Sequence, residues 1–293
     1  MIIAVLGPKG SYSEKAAMQW LAENGSEEGY ILEYCDDIQD VFSSLATGSA
    51  KIGITPVENS IEGSVGVTLD MLFEHDVSII AETVVAIEHC LLSRGRKKDI
   101  RIILSHPQGL AQCRQFLKDH FKGVELRTTG STSHAAKLAT EFEEMAAIAS
   151  RESAQMYGLE VLVPSIQDRE QNHTRFLIMI RSGDAAAGSQ YPAENPAVKK
   201  GIYTGKTSMI VGLDRDRPGA LYEILEEFAC RKINLTRIES RPSKRALGDY
   251  VFYIDLEGHI SDDIIKDAIY NIESKVGMLK MLGSYPMFKN NHL

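Results

Sequence analysis

Between residues 182 and 206 the chain loses all apolar periodicity. Gly183, Gly188, Pro192, Pro196 and Gly201 stand there among Ala, Ser and Asn. Such a stretch has no face to bury and reads as a linker. It divides 293 residues into two unequal domains, a division that the length itself suits. Formal charge divides at the same place. Residues 1–183 carry 17 basic and 25 acidic side chains, the whole of the net -8, whereas residues 184–293 carry 15 of each. Neither part has the Lys/Arg excess that a phosphate-facing surface requires, which argues against nucleic acid as a partner.

Upstream of the linker, strand patterns alternate with amphipathic helices, the pattern of an α/β domain. Ile2–Leu6 reads as a buried strand, followed by Gly7-Pro8-Lys9-Gly10 and a helix from about Ser13 to Glu23. Ser11 and Glu14 have the spacing of a capping box at that helix. Asp37 and Gly48 bracket a helix over Ile38–Thr47. Further strands are predicted at 51–55, 101–104, 124–127, 146–149, 159–163 and 175–181, with helices over 109–121, 133–143 and up to Gly158. Downstream of the linker a βαββαβ pattern runs through strand 208–213, helix 220–231, strands 234–240 and 250–256, helix 262–273 and strand 278–286. That is ferredoxin-like spacing.

Several chemistries drop out. Cys35, Cys90, Cys113 and Cys230 form no CxxC pair, so reduced thiols in a cytoplasm are expected. No signal-peptide pattern precedes Ile2, and no apolar run approaches the ~18 residues of a membrane span. GxGxxG, GxSxG and HExxH are absent, and the eight histidines share no ligand spacing, so no metal is expected. Gly201 to Thr207 (GIYTGKT) imitates a phosphate loop but is one residue short and runs into a strand pattern.

In open α/β sheets, ligands sit beyond the carboxyl ends of the strands, where helix N-termini present free N–H groups. This chain places Ser11 and Ser13 there, then Thr55, Glu58, Asn59 and Ser60, then Ser105, His106 and Gln108. Ser131, Thr132 and His134 follow, then Ser150 and Glu152, and finally Asn172, Thr174 and Arg175. Taken singly, each Ser or Thr reads as an N-cap. Together they describe a site rich in hydroxyls, amides and helix N-termini, which suits a small oxygenated anion. Glu58 and Glu62 are either acids of that site or carboxylates favoured by a helix dipole. Thr174 and Arg175 are neighbours on a strand and point to opposite faces. Arg175 therefore either clamps substrate or pairs on the far side of the sheet.

These segments resemble the prephenate dehydratase family. The stretch Tyr157 to Met179 (YGLEVLVPSIQDREQNHTRFLIM) is similar to its Thr-Arg-Phe signature, and Leu235 to Pro242 (LTRIESRP) to its second signature. Gly7–Ser13 (GPKGSYS), Thr55–Gly63 (TPVENSIEG), Ser105–Cys113 (SHPQGLAQC) and Ser131–Ala136 (STSHAA) match in the same order. The resemblance implies a bilobal, periplasmic-binding-protein-like (type 2) catalytic domain over 1–183. One lobe would be 1–77 with 164–183 and the other 78–163, followed by a linker over 184–206. It also implies conversion of prephenate to phenylpyruvate, water and carbon dioxide in phenylalanine biosynthesis, with no cofactor. With its first strand at residue 2, the chain resembles the monofunctional form rather than relatives with a leading chorismate mutase domain. Arogenate dehydratase and a non-catalytic amino-acid-binding regulator are the competing readings.

Carried onto this sequence, Thr174 is the essential threonine, with Asn59, Gln108 and Ser105 nearest the reacting groups. Ser11, Ser13, Thr55, Ser60, Ser131, Thr132, Asn172 and Arg175 would bind substrate. Residues 207–286 resemble an α+β, ferredoxin-like ACT regulatory domain. The resemblance implies L-phenylalanine as effector, held by Gly219, Ala220, Leu221, Asn234, Leu235, Glu239, Ser240, Arg241 and Pro242. It implies a homodimer or homotetramer with ACT domains paired. Deleting residues after ~200 is expected to spare activity and abolish the phenylalanine response.

Overall fold

The computed structural model describes residues 1–24, 29–185, 205–214, 217–244 and 249–287. Most of the expected linker therefore lies outside the described residues. The first sheet contains β1 (Ile2–Leu6), β2 (Ile31–Cys35), β3 (Ile52–Asn59), β4 (Gly63–Ser64), β5 (Val77–Ala86) and β11 (His173–Arg181). Its order is β2-β1-β3-β11-β5, with β4 paired to β3, and β1 runs parallel to both neighbours. Its helices are α1 (Tyr12–Glu23), α2 (Ile38–Thr47) and α3 (Gly66–Glu74).

The second sheet contains β6 (Cys90–Ser93), β7 (Ile102–Ser105), β8 (Glu125–Thr128), β9 (Met145–Ala149) and β10 (Glu160–Val163), in the order β10-β6-β9-β7-β8. Helices α4 (Pro107–Gln112), α5 (Arg114–His120), α6 (Thr132–Leu138) and α7 (Arg151–Tyr157) flank it. Alternation along the strands sorts its two cores. Cys90, Leu92, Ala147 and Ala149 pack with α6 on one face, while Leu91, Ala146 and Ile148 pack with Leu117 and Phe121 on the other. Both faces are covered in this mixed sheet, in which β7 pairs parallel with β8 and β9 while β6 pairs antiparallel with β9 and β10. The expected lobe boundary at residue 77 coincides with the start of β5, which hydrogen-bonds into the first sheet. The crossing to the second sheet follows Ala86.

Beyond the short α8 (Ser182–Ala185), the third sheet contains β12 (Gly205–Gly212), β13 (Leu235–Pro242), β14 (Tyr250–Glu257) and β15 (Met278–Pro286). The order is β13-β14-β12-β15, all neighbours antiparallel. With α9 (Ala220–Cys230) and α10 (Asp263–Glu273) on one face this is the expected ferredoxin-like unit. Met209, Val211, Ile254 and Leu256 meet Ile224, Phe228, Ile265 and Ala268 there.

By compactness the chain forms two units, residues 1–69 with 83–176 and residues 70–82 with 177–293. The second unit thus takes in α3's end and the first half of β5. Lys206 Nζ donates to both carboxylate oxygens of Glu82 at 2.7 and 2.8 Å. Lys280 Nζ donates to the carbonyls of Phe73 and His75. A Cβ on Gly283 would lie 2.3 Å from the Ile79 carbonyl oxygen, so only glycine permits that approach. The third sheet therefore does not stand alone after residue 200.

Three local readings differ from the structure for tertiary reasons. The helix expected over 109–121 breaks at Cys113 into α4 and α5. Asp168 explains the break, because its carboxylate accepts the Gln115 and Phe116 N–H groups and its own N–H donates to the Gln112 carbonyl. The helix expected to reach Glu143 ends at Leu138, since Arg94 donates to the Thr140 carbonyl and the Arg101 and Ile102 N–H groups to that of Glu144. At α1 the Ser11 hydroxyl does accept the Glu14 N–H. Glu14, however, reaches the Gly10 N–H, because that of Ser11 is already bonded to the Pro8 carbonyl.

Candidate active site

Asn59 closes β3, and Thr174 is the second residue of the neighbouring β11. Asn59 Nδ2 donates to Thr174 Oγ1 at 2.9 Å and to Asn172 Oδ1 at 2.8 Å. Its Oδ1 accepts the backbone N–H groups of Ile61 and Glu62, both at 3.0 Å. The amide is thereby fixed in one orientation. Asn172 Nδ2 then donates to Gln112 Oε1 at 2.9 Å, and Gln112 Nε2 to Glu62 Oε1 at 3.4 Å. Asn59, Gln112, Asn172 and Thr174 are all buried. Every amide in this chain donates outward from Asn59 toward Glu62.

His89 completes the network. Its Nε2 lies 2.9 Å from Gln112 Oε1, an atom that only accepts, so the imidazole carries its proton on Nε2. Burial holds the His89 imidazole below its ordinary pKa against the opposing Gln112 hydrogen bond, which favours that neutral form. Nδ1 of His89 and Oγ1 of Thr55 are buried without a hydrogen-bond partner. Thr55 lies four residues before Asn59 on β3, on the same face.

The opposite face of these strands is different. Arg175 pairs with Glu58 at 3.2 Å, so Arg175 sits with Glu58 while Thr174 sits with Asn59. Of the two readings of Arg175, pairing on the far face is the observed one.

Other expected residues have local duties. Ser105 is fully buried and donates to the Ile148 carbonyl of β9 at 2.7 Å. Ser11 caps α1 and donates to the Leu6 carbonyl, while Ser131 caps α6 by accepting the His134 N–H. Ser60 donates to the Gln171 carbonyl and accepts the His173 N–H. Gln108 follows the capping residue His106, whose Nδ1 accepts its backbone N–H. Ser13 is buried on the first turn of α1, and Thr132 opens α6.

Gly10 joins the two layers of the first unit. Its φ is +80°, and an added Cβ would lie 3.0 Å from Ser133 Oγ and 3.2 Å from Met156 Sδ. Ser133 donates to the Lys9 carbonyl at 2.6 Å and Ser153 to that of Gly10 at 3.2 Å. The first turns of α6 and α7 thus meet the loop before α1. Three helix N-termini at one loop make a setting that favours an oxygenated anion. Among the described residues no helix is long and apolar enough to cross a membrane.

Sequence reasoning missed Gln112 and His89. Gln108 and Gln112 both lie in SHPQGLAQC, four residues apart on one helix face, and nothing local distinguishes them. The break at Cys113 and the position of Asn172 do so.

Residues 3–184 match the family model for prephenate dehydratase. The chain belongs to the prephenate dehydratase family. Residues 207–274 match the ACT domain model. A prephenate dehydratase of Methanocaldococcus jannaschii is 40% identical over 284 residues, covering 96% of both chains. The solved prephenate dehydratase from Arthrobacter aurescens, in complex with L-Phe, is 32% identical with a TM-score of 0.82, covering 100% of this chain and 94% of its own. A structure described as GqqA, a novel type of quorum quenching acylase, is 27% identical with a TM-score of 0.81, covering 98% of both chains. The fold is an α/β prephenate dehydratase part followed by an ACT domain.

In that ACT domain Gly219, at φ +87°, is the N-cap of α9, directly before Ala220 and Leu221. Arg241 pairs with Asp70 at 2.8 Å, and Glu239 with Arg237 at 2.6 Å. Ser240 and Pro242 share that end of β13. Asn234 and Leu235 lie at its other end, about 23 Å from Pro242 at ~3.3 Å per residue. One chain therefore does not bring the whole expected effector set together.

Proposed function

We propose that this chain converts prephenate to phenylpyruvate, water and carbon dioxide. In that reaction the bond from the ring to its carboxylate breaks and its electron pair enters the ring. The ring hydroxyl leaves with one added proton as water, and the ring becomes aromatic. No net electrons are exchanged with a partner, so the residues have to hold two carboxylates and assist one departing hydroxyl.

The Asn59–Thr174 hydrogen bond carries this reading. Because Asn59 donates to Thr174 Oγ1, the threonine's own hydrogen is directed to a different acceptor, and the departing hydroxyl fills that role. Thr174 orients the leaving group and its proton, being too weak an acid to supply the proton alone. Asn172, Gln112 and His89 hold Asn59 in place. The N–H groups at the starts of α1, α6 and α7 attract the carboxylates. Thr55, Ser13 and Thr132 complete the binding set, and Ser105, Ser11, Ser60 and Ser131 support its loops.

L-Phenylalanine at the ACT domain regulates the reaction. The A. aurescens relative solved with L-Phe supports that assignment. β13 is an edge strand with alternate residues exposed. Antiparallel pairing of two such edges places Asn234 and Leu235 of one chain near Pro242 of a second. A homodimer, or a tetramer built from it, thus completes the effector set. The buried free thiols Cys35, Cys90 and Cys113 fit a reducing cytoplasm.

One assay tests the reading: purified protein with prephenate or arogenate, with and without L-phenylalanine. Phenylpyruvate from prephenate, slowed by phenylalanine, is expected. Faster turnover of arogenate overturns the substrate assignment, and no product from either leaves a binding protein.

A further inference from the structure

A pocket of about 430 Å³ lies where α4 and α5 meet the edge strand β8, built entirely from the first unit. Its volume falls in the range of small-molecule sites. Leu117 and Phe121 form a buried floor, and Val124 and Leu126 the wall, with Leu126 48% exposed. Arg114, Lys118 and Lys122, spaced four residues apart, stand around this apolar surface, and no carboxylate lines it. Among the described residues none of the three is ion-paired. Nearby acids are directed elsewhere: Glu125 to Arg127, Asp119 to the Gln115 amide, and Asp168 to the start of α5.

Three unpaired cations over an apolar floor, in the half of the chain that carries all of its net negative charge, select an occupant. The ligand needs an apolar body for the floor and an anionic head for the rim. An ammonium group would meet three like charges and no acceptor acid, so free amino acids are disfavoured. We propose that this pocket binds small monocarboxylates with an aryl or alkyl body and no ammonium group, at a place separate from the Thr174 network and from the ACT domain. The inference does not depend on the reaction proposed above, although phenylpyruvate belongs to the class and L-phenylalanine does not.

Methyl-resolved NMR of the full chain, titrated with 3-phenylpropanoate, tests this directly. Saturable shifts are expected at the Leu117, Val124 and Leu126 methyls, with a Kd between about 0.1 and 10 mM for a ligand of roughly a dozen heavy atoms. L-Phenylalanine and 2-phenylethylamine should leave those methyls unmoved. The exposed triple substitution R114E/K118E/K122E should weaken binding at least ~10-fold, with a normal circular dichroism spectrum and unchanged prephenate turnover. Loss of the shifts in the variant while its other methyl signals stay in place ties binding to the rim. No saturable shift up to about 20 mM, above the Kd expected from ligand size, overturns the proposal. Equal shifts with 2-phenylethylamine or with inorganic phosphate also overturn it, because charge or apolar body would then not be selected.

Discussion

Asn59 Nδ2 lies 2.9 Å from Thr174 Oγ1 as its donor. That direction fixes the threonine as acceptor on one side and leaves its hydrogen for substrate on the other. Thr174→Ala should therefore lower kcat by about 10²–10⁴, the range for a positioned proton-transfer group, with a smaller change in KM. Thr174→Ser, which keeps the hydroxyl, should retain most of the activity. A folded alanine variant within tenfold of the parent overturns the assignment.

Gln112 and Gln108 give a contrast. Gln112→Ala leaves the buried Asn172 Nδ2 and His89 Nε2 without their acceptor, at about 1–3 kcal/mol for each group left unsatisfied. Both stability and kcat should fall, with kcat down at least ~10-fold if Asn59 loses its orientation. Gln108→Ala should stay within about twofold, as expected of a half-buried side chain outside the network. Steady-state kinetics on the two variants decide between them, and the reverse order would restore Gln108 to the site.

That contrast shows how far the sequence was legible. Helix α2 is bounded by Asp37 and Gly48 as read, because N-cap and left-handed C-cap chemistry are local. The βαββαβ unit was likewise readable from spacing. The break at Cys113 was not, since its cause, Asp168, lies some fifty residues downstream. The strands β2 and β5 also escaped notice, because Glu33 and Glu82 interrupt their apolar runs, and Glu82 is buried in an ion pair with Lys206. At the site, residue types pointed to these loops, but that Ser105 bonds β9 and that Gln112 rather than Gln108 meets Asn172 depend on partners some forty to sixty residues away.

His89 makes stability depend on pH. Burial lowers its folded pKa below the ordinary ~6.5, against the Gln112 hydrogen bond that raises it. Between the folded value and ~6.5 the unfolded chain binds a proton that the folded chain does not, so stability rises with pH in that window. On acidification the loss begins near ~6.5 and is complete below the folded value. His89→Gln keeps a donor toward Gln112 and removes the titration. Urea unfolding at about pH 7.5 and about pH 5.5 should show a larger fall for the parent than for the variant. Equal falls would mean that the folded imidazole titrates normally.

Lys206 and Glu82 change what truncation is expected to do. Their ion pair is 9% and 2% exposed, so removing Lys206 leaves a buried carboxylate without that cation. Lys206→Met should cost about 3–5 kcal/mol, and Lys206→Met/Glu82→Leu should recover most of it, because an apolar pair of similar volume replaces both charges. Deleting the chain after ~200 removes Lys206, Lys280 and Gly283 together and uncovers Glu82 and Ile79. Such a truncation should lose activity through instability, contrary to the expectation from sequence that it would merely become insensitive to phenylalanine. Urea unfolding of the two full-length variants measures the pair, and thermal unfolding of the truncated chain measures the rest. A truncated chain that melts with the full-length protein and turns over prephenate normally would show that the catalytic part folds without the regulatory sheet.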